Sequence, residues 1–208
     1  MKISVSILNS KDKEQMIYLL NNTNINYIHM DVMDGEFVSQ KTLPVEEITK
    51  LSKISTKKLD VHLMVKSPLE YIEDIKDLSN IEYITIHLEI DEDIKEILAK
   101  IKEYGFRAGI SIKPNTDIKM LLEYIDYIDL ILVMTVEPGL GGQKFIPSSI
   151  DRIKEVKDLI QNTDIKIEVD GGINDTTIKE VSEVNIAVVG SYITTSDNPI
   201  DRINSLLV

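Results

Sequence analysis

The chain has 208 residues, 43% hydrophobic and 28% charged, an ordinary balance for a soluble globular protein. A formal net charge of −12 argues against nonspecific nucleic-acid binding and anionic membrane surfaces, but not against a small anionic ligand, because backbone N–H groups bind phosphate without Lys or Arg. Cysteine is absent, which excludes disulfides and thiolate metal sites, and no run of eighteen apolar residues reads as a membrane helix.

The first residues enter a strand-like segment with no signal-peptide pattern, so a cytoplasmic location is expected. Residues 2–8 alternate and are β-branched, which predicts a strand. Asn9 or Ser10 is the expected cap of the next helix, with Met16, Leu19 and Leu20 on its apolar side. Residues 27–33 predict the second strand. It ends in His29-Met30-Asp31-Val32-Met33-Asp34-Gly35. Side chains two apart share a strand face, so His29, Asp31 and Met33 project together.

Pro44 opens a helix carrying Val45, Ile48 and Leu51. Residues 58–65 predict the third strand, and Ser67 and Pro68 start the helix after it. Residues 83–89 predict the fourth strand. Asp91 is expected to cap a helix with Ile94, Ile97, Leu98 and Ile101 at helical spacing, which Gly105 stops. Residues 107–113 predict the fifth strand, and 117–124 a helix bearing Met120, Leu121 and Leu122. Residues 130–136 predict the sixth strand, followed by a glycine-rich loop and a helix over 150–160. Residues 166–172 predict the seventh strand, Asn174 caps a helix, 186–191 is the eighth strand, and Asn198-Pro199 opens the last helix.

Eight strand-then-helix units follow one another at about 26 residues each, with no linker between them. Strict alternation implies parallel strands and right-handed crossovers. The expected fold is α/β, a single-domain (β/α)₈ TIM barrel over residues 1–208, with a doubly wound open sheet as the alternative.

The active site of such a barrel lies at the C-terminal strand ends. All three histidines, His29, His62 and His87, fall in predicted strands two, three and four. Strand seven ends in Asp170-Gly171-Gly172. His29, Asp31, His62 and Asp170 form a two-imidazole, two-carboxylate set. That set suits Zn²⁺, Fe²⁺, Mn²⁺ or Co²⁺ better than Mg²⁺ or Ca²⁺. Glycine-bearing turns follow strands six (Gly139, Leu140, Gly141, Gly142), seven (Gly171, Gly172) and eight (Gly190, Ser191). Their clustering on one rim points to a phosphorylated ligand. Met33, Met64 and Met134 read either as core packing or as an apolar floor beneath a substrate. The residues alone assign His87 no role.

The pieces Ser6-Ile7-Leu8, 29–35 with Phe37-Val38, Asp60-Val-His-Leu-Met-Val65, Thr85-Ile-His-Leu-Glu89, 133–145, Glu168-Val-Asp-Gly-Gly-Ile173 and Gly190-Ser191 run in the order of the ribulose-phosphate 3-epimerase family. The chain closely resembles that family over essentially its whole length. The resemblance implies a metal-dependent isomerase of the pentose phosphate pathway that interconverts D-ribulose 5-phosphate and D-xylulose 5-phosphate through an enediolate. It implies a divalent metal on His29, Asp31, His62 and Asp170, and Asp31 and Asp170 as the acid/base pair. Ser6, His62 and the three methionines would lie near substrate, with phosphate on the glycine turns. The resemblance leaves homo-oligomer formation open. Val5 stands where the family usually has Pro, Ser39-Gln40 where it has Pro-Asn, and Leu140 where it has Phe. The readings kept beside it are a D-allulose 6-phosphate 3-epimerase, a decarboxylase-type barrel, and a non-catalytic barrel that binds metal or sugar phosphate.

Overall fold

Apolar, β-branched strands alternate with helical segments along the chain, and the outward faces of the strands pack beneath them. The computed structural model describes residues 1–206; the last two positions of the expected 1–208 domain lie outside them. The strands are β1 (Lys2–Ser6), β2 (Tyr27–Asp34), β3 (Lys41–Thr42), β4 (Lys58–Met64), β5 (Ile81–His87), β6 (Arg107–Ile112), β7 (Leu130–Met134), β8 (Lys166–Asp170) and β9 (Ile186–Val189). All but β3 pair in parallel, and β1 pairs with both β2 and β9. That closure makes an eight-stranded TIM barrel and rules out the open sheet. β3 adds a short antiparallel edge to β2.

The helices are α1 (Lys13–Asn21), α2 (Val45–Ile54), α3 (Pro68–Ile75), α4 (Ile94–Glu103), α5 (Ser149–Leu159), α6 (Thr177–Glu180), α7 (Ser191–Thr194) and α8 (Pro199–Leu206). The larger core lies between barrel and helices and includes Val5, Ile28, Val61, Ile86, Ile110 and Val169. On α4 the residues at helical spacing, Ile94, Ile97, Leu98 and Ile101, are all buried. Truncating one such side chain to Ala costs about 2–5 kcal/mol.

A second apolar cluster fills the barrel itself and holds Tyr27, Tyr83, Leu130 and Ile186. Tyr27 and Tyr83 meet edge to face, with centroids 5.8 Å apart. Between this plug and the C-terminal mouth the interior turns polar. Ser4, Asp60, Thr85, Ser111 and Glu168 are all fully buried there.

Several sequence expectations shift. Asp12 caps α1 through a bond from the Gln15 N–H, because residues 9–10 continue the turn that brings the Ser10 N–H to the Ile7 carbonyl. Asp93, not Asp91, caps α4, accepting from the Glu96 N–H. Residues 117–124 form no α-helix. They make 3₁₀ turns, Ile118–Glu123 and then Ile125–Tyr127. Ile118 and Leu121 are buried at the three-residue period of that helix, while Met120 and Leu122 are exposed. Asn174 accepts from the Thr176 and Thr177 N–H groups ahead of α6, which is a single turn. Neither β3 nor α7, which follows Gly190 directly, was expected.

Candidate active site

His29 and Asp31 on β2, His62 on β4 and Asp170 at the end of β8 point inward, as strand parity requires, and converge. One ligand atom from each lies within 4.8 Å of the others. His29 Nε2 is 3.4 Å from Asp31 Oδ1 and 4.0 Å from Asp170 Oδ2. His62 Nδ1 is 3.6 Å and 4.0 Å from the same two oxygens. Both nitrogens are buried and make no hydrogen bond. Donor atoms about 2.1 Å from a shared Zn²⁺ lie roughly 3 to 4 Å from each other, the separation found here. Two unpartnered imidazole nitrogens facing two carboxylate oxygens are therefore fit to hold a divalent transition metal.

The other ring nitrogens are tied down. His29 Nδ1 lies 2.7 Å from Asp60 Oδ2, which also accepts from Ser4 Oγ at 2.8 Å. His62 Nε2 lies 2.9 Å from His87 Nε2, and His87 Nδ1 lies 3.0 Å from Glu89 Oε2. Phe37 packs tilted against the His87 ring, with centroids 4.6 Å and planes 39° apart. Ser6 Oγ donates to Asp31 Oδ2 at 2.6 Å, leaving Oδ1 toward the two histidines.

Burial and charge separate the two active-site carboxyls. Burial opposes ionisation of Asp31, but His29 and His62 beside it outweigh that and hold it well below the usual carboxylate range. Asp170 is pushed up to about 7 by burial and by the charge on Asp31. In the metal-free protein Asp170 thus holds a proton more tightly than Asp31, a difference that suits a proton-transfer pair. Burial also opposes the charge on His29, yet Asp60 and Asp31 raise it well above an ordinary histidine. Glu168 is pushed well above the usual range by burial and then by Asp60.

Above this cluster opens a cleft of about 560 Å³, open solvent at its mouth included. Ser6, Asp31, Asp170, Met33, Met64, Met134, Gly139, Leu140, Gly141, Gly142, Gly171, Gly172, Gly190 and Ser191 line it. His29 and His62 do not. They sit fully buried behind the carboxylates, so His62 faces the candidate metal position rather than the cleft wall. Gly172 has φ +67°, and a Cβ there would come within 2.3 Å of the Phe145 backbone nitrogen, so only glycine fits. Of the departures from the family pattern, Leu140 borders the cleft, while Ser39 and Gln40 are exposed outside its lining.

Sequence reasoning missed Asp60, Glu168 and the His87–Glu89 pair. A signal existed: Asp60 shares its strand face with His62, and Glu168 with Asp170.

Fold and site define a TIM-barrel enzyme with its candidate centre at the C-terminal ends of the strands. The pattern of the "Ribulose-phosphate 3 epimerase family" matches residues 2–194. Curated relatives that carry the name ribulose-phosphate 3-epimerase include the following three. That of Aquifex aeolicus is 39% identical over 171 residues (80% of this chain, 76% of the relative). That of Bacillus subtilis is 38% identical over 171 residues (80% and 78%). The cytoplasmic isoform of Oryza sativa is 36% identical over 187 residues (87% and 81%). The chain belongs to the ribulose-phosphate 3-epimerase family and is an isomerase.

Among solved structures, KGPDC from Streptococcus mutans superposes with a TM-score of 0.73 at 12% identity, covering 99% of this chain and 95% of that one. The 3-hexulose-6-phosphate synthase from Salmonella typhimurium gives 0.72 at 18% identity, covering 99% and 96%. These likenesses bear on the fold alone.

Proposed function

We propose that this chain interconverts D-ribulose 5-phosphate and D-xylulose 5-phosphate by proton transfer at C3, using one divalent transition metal ion (Zn²⁺, Fe²⁺, Mn²⁺ or Co²⁺) held by His29, Asp31, His62 and Asp170. One observation carries the reading. Asp31 and Asp170 reach the base of one cleft from strands three positions apart around the barrel, and both turn a carboxylate oxygen toward the same two imidazole nitrogens. When bound, the metal would supply Lewis-acid stabilisation of the negative charge that develops on substrate oxygens.

Asp31, ionised and steadied by Ser6, removes the C3 proton from one face. Asp170, on the opposite side, returns a proton to the other face of the enediolate, and the roles exchange in the reverse direction. Met33, Met64 and Met134 form apolar walls that keep water from the intermediate. The phosphate lies on the glycine turns. Among the described residues, the N–H groups of Gly141, Gly142 and Gly172 donate to no protein acceptor, so they are available to an anion. A cytoplasmic location belongs to the same reading and is tested by cell fractionation.

The decarboxylase-type pattern, Asp-x-Lys-x-x-Asp on the third barrel strand, is broken here by His62 and Val65. The deciding experiment assays D-ribulose 5-phosphate, D-allulose 6-phosphate and D-ribose 5-phosphate side by side, with metal content measured. The expected result is epimerisation of the ribulose phosphate with the highest kcat/KM and about one metal per chain. Preference for allulose 6-phosphate, or no turnover with metal bound, would displace the reading.

A further inference from the structure

His87 and Glu89 have no part in the proton transfers, yet they form a buried chain that ends on a candidate metal ligand. His87 is fully buried, as is His62. The chain runs from Glu89 Oε2 to His87 Nδ1 (3.0 Å), then from His87 Nε2 to His62 Nε2 (2.9 Å). The remaining nitrogen, His62 Nδ1, is the unpartnered one that faces Asp31 and Asp170.

The direction of every hydrogen bond in this chain follows from its outer end. Glu89 Oε1 accepts from the Lys113 N–H at 2.8 Å and from the Thr116 hydroxyl. Burial opposes its ionisation, but the bonds from His87, Lys113 and Thr116 outweigh that and hold the Glu89 pKa at about 2, so it is a carboxylate, which can only accept. His87 Nδ1 must then carry a hydrogen. In a neutral imidazole Nε2 is bare, so it must accept from His62 Nε2–H. In turn, a neutral His62 has no hydrogen on Nδ1. With Glu89 ionised and both imidazoles neutral, any other arrangement sets two lone pairs or two hydrogens against each other at one link.

We propose that Glu89 and His87 are positioning residues, which hold His62 in the tautomer that leaves Nδ1 bare and aimed at the gap between Asp31 and Asp170. Phe37 packs against the His87 ring and limits its rotation, and Lys113 Nζ lies 4.1 Å from the Phe37 centroid. The use of this relay rests on the metal reading above, because a metal ligand must offer a lone pair. The tautomers do not depend on that reading. Outer partners of this kind are worth about 10–100-fold in metal affinity.

The chain has three histidines, so a long-range proton–nitrogen correlation spectrum of ¹⁵N-histidine-labelled protein resolves all six ring nitrogens. In the full-length, metal-free chain at mildly alkaline pH, His62 is expected as the Nε2–H tautomer and His87 as the Nδ1–H tautomer. The opposite tautomer on His62 would overturn the proposal.

Glu89→Gln keeps the shape and reverses the logic. The amide oxygen stays with Lys113 and Thr116, so its NH₂ turns to His87 Nδ1. That puts a hydrogen on His87 Nε2 and drives the hydrogen of His62 onto Nδ1. The expected result is an inverted His62 tautomer and Zn²⁺ affinity, read by chelator competition, lowered about 10–100-fold. His87→Gln can accept from His62 and donate to Glu89, so its affinity should stay within a few-fold of the parent. An unchanged His62 tautomer and Zn²⁺ affinity in Glu89→Gln, or equal losses in both variants, would refute the relay. Should Glu89→Gln fail to fold, the parent spectrum and His87→Gln decide the matter. A parent with the expected tautomers that binds no Zn²⁺ would support the relay and overturn the metal reading.

Discussion

Asp60 Oδ2 lies 2.7 Å from His29 Nδ1, with both side chains fully buried. The bond keeps a hydrogen on Nδ1 and turns Nε2 toward Asp31 and Asp170. Removing the nearer of two carboxylate partners from a buried imidazole costs about 3 kcal/mol. Asp60→Ala should lower the unfolding free energy of chelator-treated protein by about that amount, and weaken Zn²⁺ binding about 10–100-fold. Urea titration and chelator competition measure the two effects. A variant matching the parent in both would show Asp60 to be a bystander.

Two glycines of the cleft should behave oppositely. At Gly190, which has no left-handed φ, a Cβ would meet Ser6 at 3.5 Å, an ordinary contact. Gly190→Ala should fold like the parent but raise KM for the sugar phosphate about 10-fold or more, with kcat little changed, because its methyl intrudes on the phosphate turns. At Gly172 the left-handed backbone and the Phe145 backbone exclude a side chain, so Gly172→Ala should lose about 2 kcal/mol or more of stability. Steady-state kinetics and urea titration on both variants separate binding from folding. An unchanged KM in Gly190→Ala would place the phosphate elsewhere.

Burial makes His87 a source of pH-dependent stability. Its pKa is lowered to about 4 from an ordinary 6.5, chiefly by burial, with its bond to Glu89 opposing. Between those values the unfolded chain binds the proton and the folded chain does not. The contribution is therefore full above pH 6.5 and lost as pH falls toward 4, on the order of 3 kcal/mol in all. Glu89, with a pKa lowered to about 2, adds a loss in the same direction below pH 4.5. Burial opposes that lowering, and the bonds to His87, Lys113 and Thr116 outweigh it. His87→Phe should flatten the stability profile between pH 6.5 and 4 relative to the parent. His29 shifts the other way but is common to both proteins; His62, lowered by burial and bonded to His87, shifts the same way, so the difference reads the His62–His87 pair. Parallel profiles in urea unfolding would contradict this.

The barrel was legible because period-two strands and period-3.6 helices alternate without interruption, and the candidate metal set because His29, Asp31, His62 and Asp170 fall near strand ends. Strand parity also carried Asp60 and Glu168, but a carboxylate at a core-facing position reads as surface until barrel closure shows that no surface is there. The relay through His87 was not legible, since it joins β4 to β5 across a register that only pairing fixes. Residues 117–124 misled because three adjacent apolar residues fit a helix, and which of them is buried depends on the neighbouring helices. The caps slipped because several Asp and Asn residues stood within reach, and propensity alone does not choose among them.

The last prediction separates one base from two. An epimerase with one base must move its proton across the intermediate, whereas two bases act from two sides. Here Asp31 and Asp170 come from β2 and β8, and in the metal-free protein burial and charge make Asp170 the weaker acid of the two. Early in a reaction run in D₂O, the product should carry deuterium at C3 while recovered substrate stays largely unlabelled, provided the bound acids do not exchange with solvent before release. In the forward direction the substrate proton leaves to Asp31 and the product receives its own from Asp170. Asp170→Asn should abolish epimerisation, at least 10³-fold in kcat, while slow exchange of the C3 proton on one epimer continues through Asp31 where the metal is retained. Mass spectrometry of both sugar phosphates at low conversion reads the labels. Equal early labelling of substrate and product would favour a single shuttling base, and Asp170 would no longer stand as the partner of Asp31.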